Sequence, residues 1–389
     1  MTSQAIRFAA YYAAFYLTLG VFLPYFPVWL EGRSISAEWI GWIGAAIYAG
    51  RFLVSPIGVR WSDRTKHQRR PIAALALLAL LAFALHLPVN APSLLVGLTL
   101  FASAGYFGQM PIADAFAMRE ARAGVISFGP VRALGSITFI IANLAAGALL
   151  DLTGTESVML LVTSGAVLIA ISALCLPNGV AERALQEDRF DWVQLGRMLR
   201  GPFGWALLAS ACIQGAHGFY YFFSAIAWVE QGYSQLVVGF LWATGVVIEI
   251  AFLWWSGKGI LARMSPAQLL GLGAAASLLR WGLTALAPPL PVLFGLQLLH
   301  ALTFAATYLG FLRFAVDSTP ERHTATVQGI NSALSGGLVM ALVSAVSGYF
   351  YAWAGIGGFA IMLIPSAIGL FAAIALHRVS SLPQREKID

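Results

Sequence analysis

Residues 203–256 read FGWALLASACIQGAHGFYYFFSAIAWVEQGYSQLVVGFLWATGVVIEIAFLWWS. Two apolar runs, 203–229 and 236–256, flank a short polar turn, and the only charged side chains are Glu230 and Glu249. A helix needs about 20 mostly apolar residues to cross a bilayer, and each run supplies them. Outward from this pair, long apolar runs and short polar gaps alternate along the whole chain. Spans are expected at 8–30, 38–59, 71–89, 92–117, 127–150, 157–177, 203–229, 236–256, 267–287, 291–314, 328–351 and 357–377. Lipid offers no partner to an unpaired backbone group, so each span is expected as a helix. A barrel would need short alternating strands, and these runs are too long and apolar all round. The expected fold is an all-α membrane protein with twelve transmembrane helices.

Composition agrees. Of 389 residues, 59% are hydrophobic and only 10% charged, and mean hydropathy is +0.78. Soluble chains average about 45–50% apolar and about 25% charged residues, so the bulk solvent here is lipid. The net charge of +6 does not point to nucleic acid, because the bases sit mostly in the gaps between apolar runs. Cys175 and Cys212 lie inside apolar runs, with no disulfide framework and no metal spacing. The first apolar run is too long for a signal-peptide core and reads as a span.

The bases also orient the chain. With the N-terminus inside, 19 of the 23 Lys and Arg residues fall on the cytoplasmic side, Arg33 alone falls outside, and Arg51, Arg132 and Arg280 lie within spans. Both termini are therefore expected in the cytoplasm, in a bacterial-type inner membrane. The longest polar stretch, Pro177 to Pro202, reads as a linker between six-helix halves. The expected organisation is an N-terminal half at 1–178, a cytoplasmic linker at 179–202, a C-terminal half at 203–378 and a tail at 379–389.

A weak repeat relates the halves. Trp29-x-Glu31 returns as Trp228-x-Glu230, Ser36 and Gly41 as Ser234 and Gly239, and Val131-Arg132 with Ser136 as Val327-Gln328 with Ser332. The offsets are nearly constant, which fits duplication. Parallel six-helix halves describe the major facilitator architecture.

A charge at mid-bilayer costs about 2.5–3.5 kcal/mol on insertion scales, so charged residues inside spans are expected to face the bundle interior. Glu249, Arg280 and His300, in spans eight, nine and ten, form one candidate group for proton coupling. A carboxylate whose partner moves between two states can take a proton in one and release it in the other. His300 titrates near neutrality when unperturbed and would relay or gate that proton. A static ion pair is the alternative. Asp114 and Arg132 form a second candidate pair, with Asp114 also a reserve proton carrier. Arg132 would bind a substrate carboxylate or hydroxyls through its planar fork, or snorkel to the interface. Arg51 faces the same choice. Gln214, His217 and Tyr221 share one helix face, with Tyr220, Phe222 and Phe223 nearby. They are expected to line a pocket for a ring-bearing substrate, with packing as the alternative. Tyr11, Phe15, Phe22 and Tyr25 make a similar stripe. The loop GVRWSDRTKHQRR at 58–70 resembles the cytoplasmic loop motif of major facilitators, with altered spacing.

No Walker A, HExxH or catalytic GxSxG is present, and no cofactor or metal is expected. Span five ends NLAAGALLD, without the Gly-Pro-rich motif that typifies drug antiporters.

Residues 214–249 carry a closer likeness, joined by GVFLPYFPVWLEG at 20–32, Arg51-Phe52, Pro111-x-x-Asp114-Ala115 and Val131-Arg132-x-x-Gly135-Ser136. Arg280-Trp281-Gly282 and Leu299-His300 with Thr303-Phe304 continue it. Together they resemble the phenylpropionate permease family of the major facilitator superfamily, over nearly the whole chain. The resemblance implies proton-linked uptake of an aromatic carboxylate. Lactose permease is similar in position: it too uses Glu, Arg and His on spans eight to ten, and an acid and an Arg on spans four and five. It has a further carboxylate one turn after the His, where this chain has Thr303. By that resemblance Glu249 is the leading proton carrier and Asp114 the second.

The expectation is a monomeric proton symporter, not an enzyme, working by alternating access. Its substrate would enter between the halves, near Asp114, Arg132, His217 and Tyr221. Sugar or nucleoside symport, efflux, and a membrane enzyme or sensor are the competing readings.

Overall fold

A computed structural model describes residues 2–64, 67–178, 199–319 and 321–381. Among these the regular elements are helices, with no strand. The first six are α1 (Ser3–Gly32), α2 (Ala37–Arg64), α3 (Arg69–His86), α4 (Pro92–Arg122), α5 (Phe128–Thr153) and α6 (Ser157–Cys175). The seventh expected span is two helices, α7 (Pro202–Gly215) and α8 (His217–Glu230), and the eighth is α9 (Gln235–Trp255). The short α10 (Gly259–Arg263) precedes α11 (Pro266–Thr284). The tenth span runs as α12 (Leu290–Leu298), a π-helical turn (Ala301–Ala306) and α13 (Thr307–Ser318). The eleventh is α14 (Glu321–Ala333), a second π turn (Leu334–Val339) and α15 (Met340–Ala354). A 3₁₀ turn (Gly355–Met362) and α16 (Leu363–Ser381) complete the chain.

Each of the twelve expected spans thus falls on a helical stretch. Among the described residues, eight stretches are both long and apolar enough to cross a membrane. Within the loop likened to a facilitator motif, Thr65 and Lys66 lie outside the described residues. So do 179–198 of the expected linker and 382–389 of the tail.

Local signals explain the helix starts. Pro92, Pro202 and Pro266 occupy first-turn positions, where a missing N–H leaves no bond unmade. Ser265 and Gln268 form a capping box on α11. Arg119 and Arg122 sit in the last turn of α4, favourably placed at the negative helix end.

The described chain divides into two compact units. One holds 2–178 with Tyr221–Ala243 and Ser344–Ala352; the other holds 199–220, Thr244–Val343 and 353–381. In the first unit α1 packs on α5 and α6, α2 on α4, and α3 on α4 and α6. Asp151, near the end of α5, accepts hydrogen bonds from the backbone N–H of Gln235 (2.7 Å) and Leu236 (3.1 Å). It thereby caps α9, whose next N–H, Val237, goes to Ser234 Oγ at 3.3 Å. The Tyr25 hydroxyl adds a contact to Gln235 O at 3.0 Å. The α2–α15 crossing is closer still. A Cβ on Gly41 would lie 2.7 Å from Ser344 O, and one on Gly348 would lie 2.8 Å from Glu38 Cα, so glycine is what permits the approach. In the second unit Phe203, Leu207 and Ile213 of α7 pack with Leu270 of α11, Phe311 and Phe314 of α13 and Leu376 of α16.

Candidate functional site

The second unit holds the larger polar cluster. Arg280, on α11, is 1% exposed. Its Nη1 donates to His300 Nδ1 at 3.0 Å and to Thr303 Oγ1 at 3.1 Å, and its Nη2 donates to Gln297 Oε1 at 2.9 Å. The guanidinium also lies 4.7 Å from the Tyr220 ring centre and 4.6 Å from that of Trp281, a cation–π arrangement on two faces. Tyr220 donates its hydroxyl to the same Gln297 oxygen at 3.1 Å.

These contacts fix the histidine tautomers. Arginine has no acceptor to offer, so His300 Nδ1 bears the lone pair and Nε2 bears the hydrogen. That Nε2 lies 3.5 Å from Glu249 Oε2, on α9. His217 is set the other way. Its Nδ1 donates to Gln214 O at 3.1 Å, which leaves Nε2 to accept from Thr303 Oγ1 at 3.1 Å. Glu249, His300 and Arg280 are therefore brought together in line, with His217, Thr303 and Gln297 around the arginine. Burial grades along the line: the Glu249 side chain keeps 24% exposure and that of His300 10%.

Helix irregularities build this cluster. α7 stops at Gly215, and α8 restarts at His217, whose ring holds the Gln214 carbonyl. Gln214 Nε2 donates to Phe304 O in the π turn at 3.3 Å. His300 immediately precedes that turn and Thr303 lies in it. A π turn shifts side chains off the regular helical face and recurs at functional sites. The straight face expected for Gln214, His217 and Tyr221 is therefore interrupted at Ala216. Tyr221 belongs to the first unit, where it stacks on Trp242 at 5.8 Å, while Gln214 and His217 stay with Arg280 in the second.

The first unit holds the other expected pair. Arg132 Nε lies 3.9 Å from Asp114 Oδ1, and both side chains are about one-third exposed, 32% and 35%. Asp114 is bound more closely by the Tyr12 hydroxyl, at 2.7 Å. Arg132 donates Nη2 to the Tyr16 hydroxyl and lies 4.4 Å from that ring's centre. Tyr11 donates to Gln109 Oε1 at 3.1 Å nearby. Arg51 is exposed, with its guanidinium 5.8 Å from the Phe107 ring centre.

The residues that sequence reasoning passed over are Gln297, Tyr12 and Tyr16. Gln297 carried a signal, as an amide one turn before His300 in an apolar run. Tyr12 and Tyr16 sit one turn apart, but tyrosines in a span are common enough to hide them.

Comparison with known proteins follows the same lines. The sequence model of the MFS_1 like family matches residues 5–360. A probable 3-phenylpropionic acid transporter from Escherichia coli (strain K12) is 30% identical over 381 residues, covering 95% of this chain and 98% of the relative. A maltose permease from Geobacillus stearothermophilus is 24% identical over 359 residues, 88% of this chain and 86% of that one. Among solved structures, the nucleoside transporter NupG superposes with a TM-score of 0.76 at 17% identity, over 98% of this chain and 100% of that chain. At that identity the superposition speaks for the fold.

Proposed function

This chain belongs to the MFS_1 like family of major facilitator transporters, and from that premise we propose that it is a proton-coupled symporter importing a small organic substrate, an aromatic carboxylate such as 3-phenylpropionate. The observation that carries the proposal is the alignment of Glu249, His300 and Arg280. Arg280 holds His300 with its N–H toward Glu249, so the ring stabilises the carboxylate when Glu249 is ionised. A proton on Glu249 removes that attraction and frees the His300–Arg280 group to repack. A ligand drives such a change only through its different affinity for the two states, and the proton supplies that difference here.

Arg132 is the proposed substrate anchor. Its contact with Asp114 is long, and Asp114 is already engaged by Tyr12. An incoming carboxylate can take two parallel bonds from the guanidinium without stripping Asp114 of its nearest partner. Tyr16 holds the guanidinium in place meanwhile. We take the working protein to be a monomer of the bacterial inner membrane with both termini in the cytoplasm.

The test is uptake of labelled 3-phenylpropionate into proteoliposomes, with and without an inward proton gradient. Wild type should accumulate substrate when the gradient is present. Glu249→Gln should lose accumulation and keep exchange. Gradient-driven accumulation by Glu249→Gln would overturn the assignment of the carrier.

A second reading keeps the fold and changes the substrate to a sugar or nucleoside. Asp114 among the hydroxyls of Tyr11 and Tyr12 and the amide of Gln109 suits a polyhydroxylated ligand, and the relatives include a maltose permease. Competition of unlabelled sugars, nucleosides and aromatic acids against one labelled substrate separates the two.

A further inference from the structure

A groove of about 590 Å³ lies in the first unit, at the ends of three helices, and shares no lining residue with either polar cluster. Ser36, Glu38, Trp39 and Trp42 line it from the start of α2, Ser93 from the start of α4, and Tyr349 from the last turns of α15. This volume falls within the range of small-molecule sites, about 300–1,000 Å³. Its Trp and Tyr lining sits near helix ends, the composition that marks the headgroup layer of spanning helices.

Its chemistry is selective. The aromatic walls remain open: Trp39 is 40% exposed, Trp42 47% and Tyr349 53%. Trp42 Nε1 donates to the Tyr349 hydroxyl at 3.1 Å, which ties α2 to α15 and fixes two walls. Glu38 contributes a carboxylate, and its neighbour there is the Ser36 hydroxyl. Among the described residues no Lys or Arg forms an ion pair with Glu38. Indole and phenol faces beside an uncompensated carboxylate are the pattern that recognises an alkylammonium group. An anion would meet the Glu38 charge, and an apolar group would leave that charge without a partner. Val96 of α4 adds an apolar wall, and Leu94, next to Ser93 in the chain, is 59% exposed. A ligand with acyl chains attached can lay them there, whereas a soluble amine cannot.

We propose that this groove binds the headgroup of an aminophospholipid, the ammonium held by Glu38 between Trp39, Trp42 and Tyr349, with the Ser93 hydroxyl available to the phosphodiester. The inference is independent of substrate and of proton coupling, since none of these residues belongs to either cluster.

The test is lipid retention. The full chain is reconstituted in vesicles of equal parts phosphatidylethanolamine and phosphatidylglycerol, re-extracted in mild detergent, and its retained lipid measured by native mass spectrometry. Wild type is expected to retain the ethanolamine lipid over the glycerol lipid by about fivefold, the scale of one exposed cation–π contact plus one exposed ion pair. Glu38→Gln and Trp42→Leu should each bring the ratio below about twofold without changing glycerol-lipid retention, and Trp42→Phe should restore most of it. Equal retention by wild type, or an unchanged ratio in Glu38→Gln, overturns the proposal. Free ethanolamine that displaces the lipid at millimolar concentration overturns the lipid assignment. Circular dichroism of each variant separates a lost site from a lost fold.

Discussion

Replacing Asp151 by alanine tests the most economical contact in the first unit. One carboxylate on α5 satisfies two of the N–H groups that open α9, at 2.7 and 3.1 Å. Loss of a helix cap costs about 0.5–2 kcal/mol. Asp151 is exposed and the Leu236 N–H faces solvent, so water replaces part of what is lost and the lower part of that range applies, about 0.5–1 kcal/mol. Through the Boltzmann factor this is roughly a two- to fivefold rise in the population with the α9 start open. Hydrogen exchange followed by mass spectrometry reads it directly. Amides in a peptide covering 235–238 should exchange about two to five times faster in Asp151→Ala, and less so in Asp151→Asn, whose amide oxygen still accepts one bond. Peptides from α7 should be unaffected. An unchanged rate at 235–238 in Asp151→Ala would refute the cap as a stabilising contact.

Three further outcomes follow from the same contacts. Gly348→Val should lower the thermal midpoint by the equivalent of about 1–3 kcal/mol, because the added side chain meets the Ala37 carbonyl and Glu38 Cα across the α2–α15 crossing. An unaltered midpoint would mean that the helices part freely. Thr303→Val strips the bonds to Arg280 and His217 and should cost about 1–3 kcal/mol, as the buried Arg280 N–H loses an acceptor and His217 Nε2 loses its donor, while Thr303→Ser should restore most of it; calorimetry of both variants decides. At the α1–α2 turn, Arg33 donates to Glu156 at 2.8 and 3.1 Å, and those hydrogen bonds hold the Glu156 carboxyl below its usual range. A depressed carboxylate stabilises the fold above its unfolded pKa and loses that effect as pH falls through the folded value. The midpoint gap between wild type and Arg33→Ala should therefore be widest at neutral pH and shrink below about pH 4.5. The part of that gap due to the pair stays under about 1 kcal/mol, because Glu156 is 61% exposed.

The apolar runs announced the helices because bilayer thickness acts on length and composition alone. The charges within them were legible for the same reason: Glu249, Arg280 and His300 stand out against lipid, and the structure places them in one line. What surrounds them was not legible. The turn ALTFAA at 301–306 contains no proline and no glycine to announce it, and the break at Ala216, beside Gly215, contains no proline. They are held by one local bond, His217 to the Gln214 carbonyl, and one tertiary bond, Gln214 to the Phe304 carbonyl. The Asp151 cap was equally silent, because it joins residues 84 apart in sequence and its carboxylate looks like an ordinary loop-end acid. Tyr16 gave no sign because its partner, Arg132, is 116 residues away.

The two π turns carry a consequence for anyone mutating this chain. An extra residue in a helical turn advances the azimuth of everything after it by about 100°. A helical wheel drawn from Leu290 therefore goes out of phase beyond Ala306, and one drawn from Glu321 goes out of phase beyond Val339. A scanning series through either span should show two patches of sensitivity with different phases rather than one stripe. By the same geometry, deleting one residue between Ala301 and Ala306 is a rotation more than a shortening. It would re-aim Thr307, Phe311 and Phe314 together, swinging the apolar face of α13 off the Phe203 and Leu270 packing it now completes.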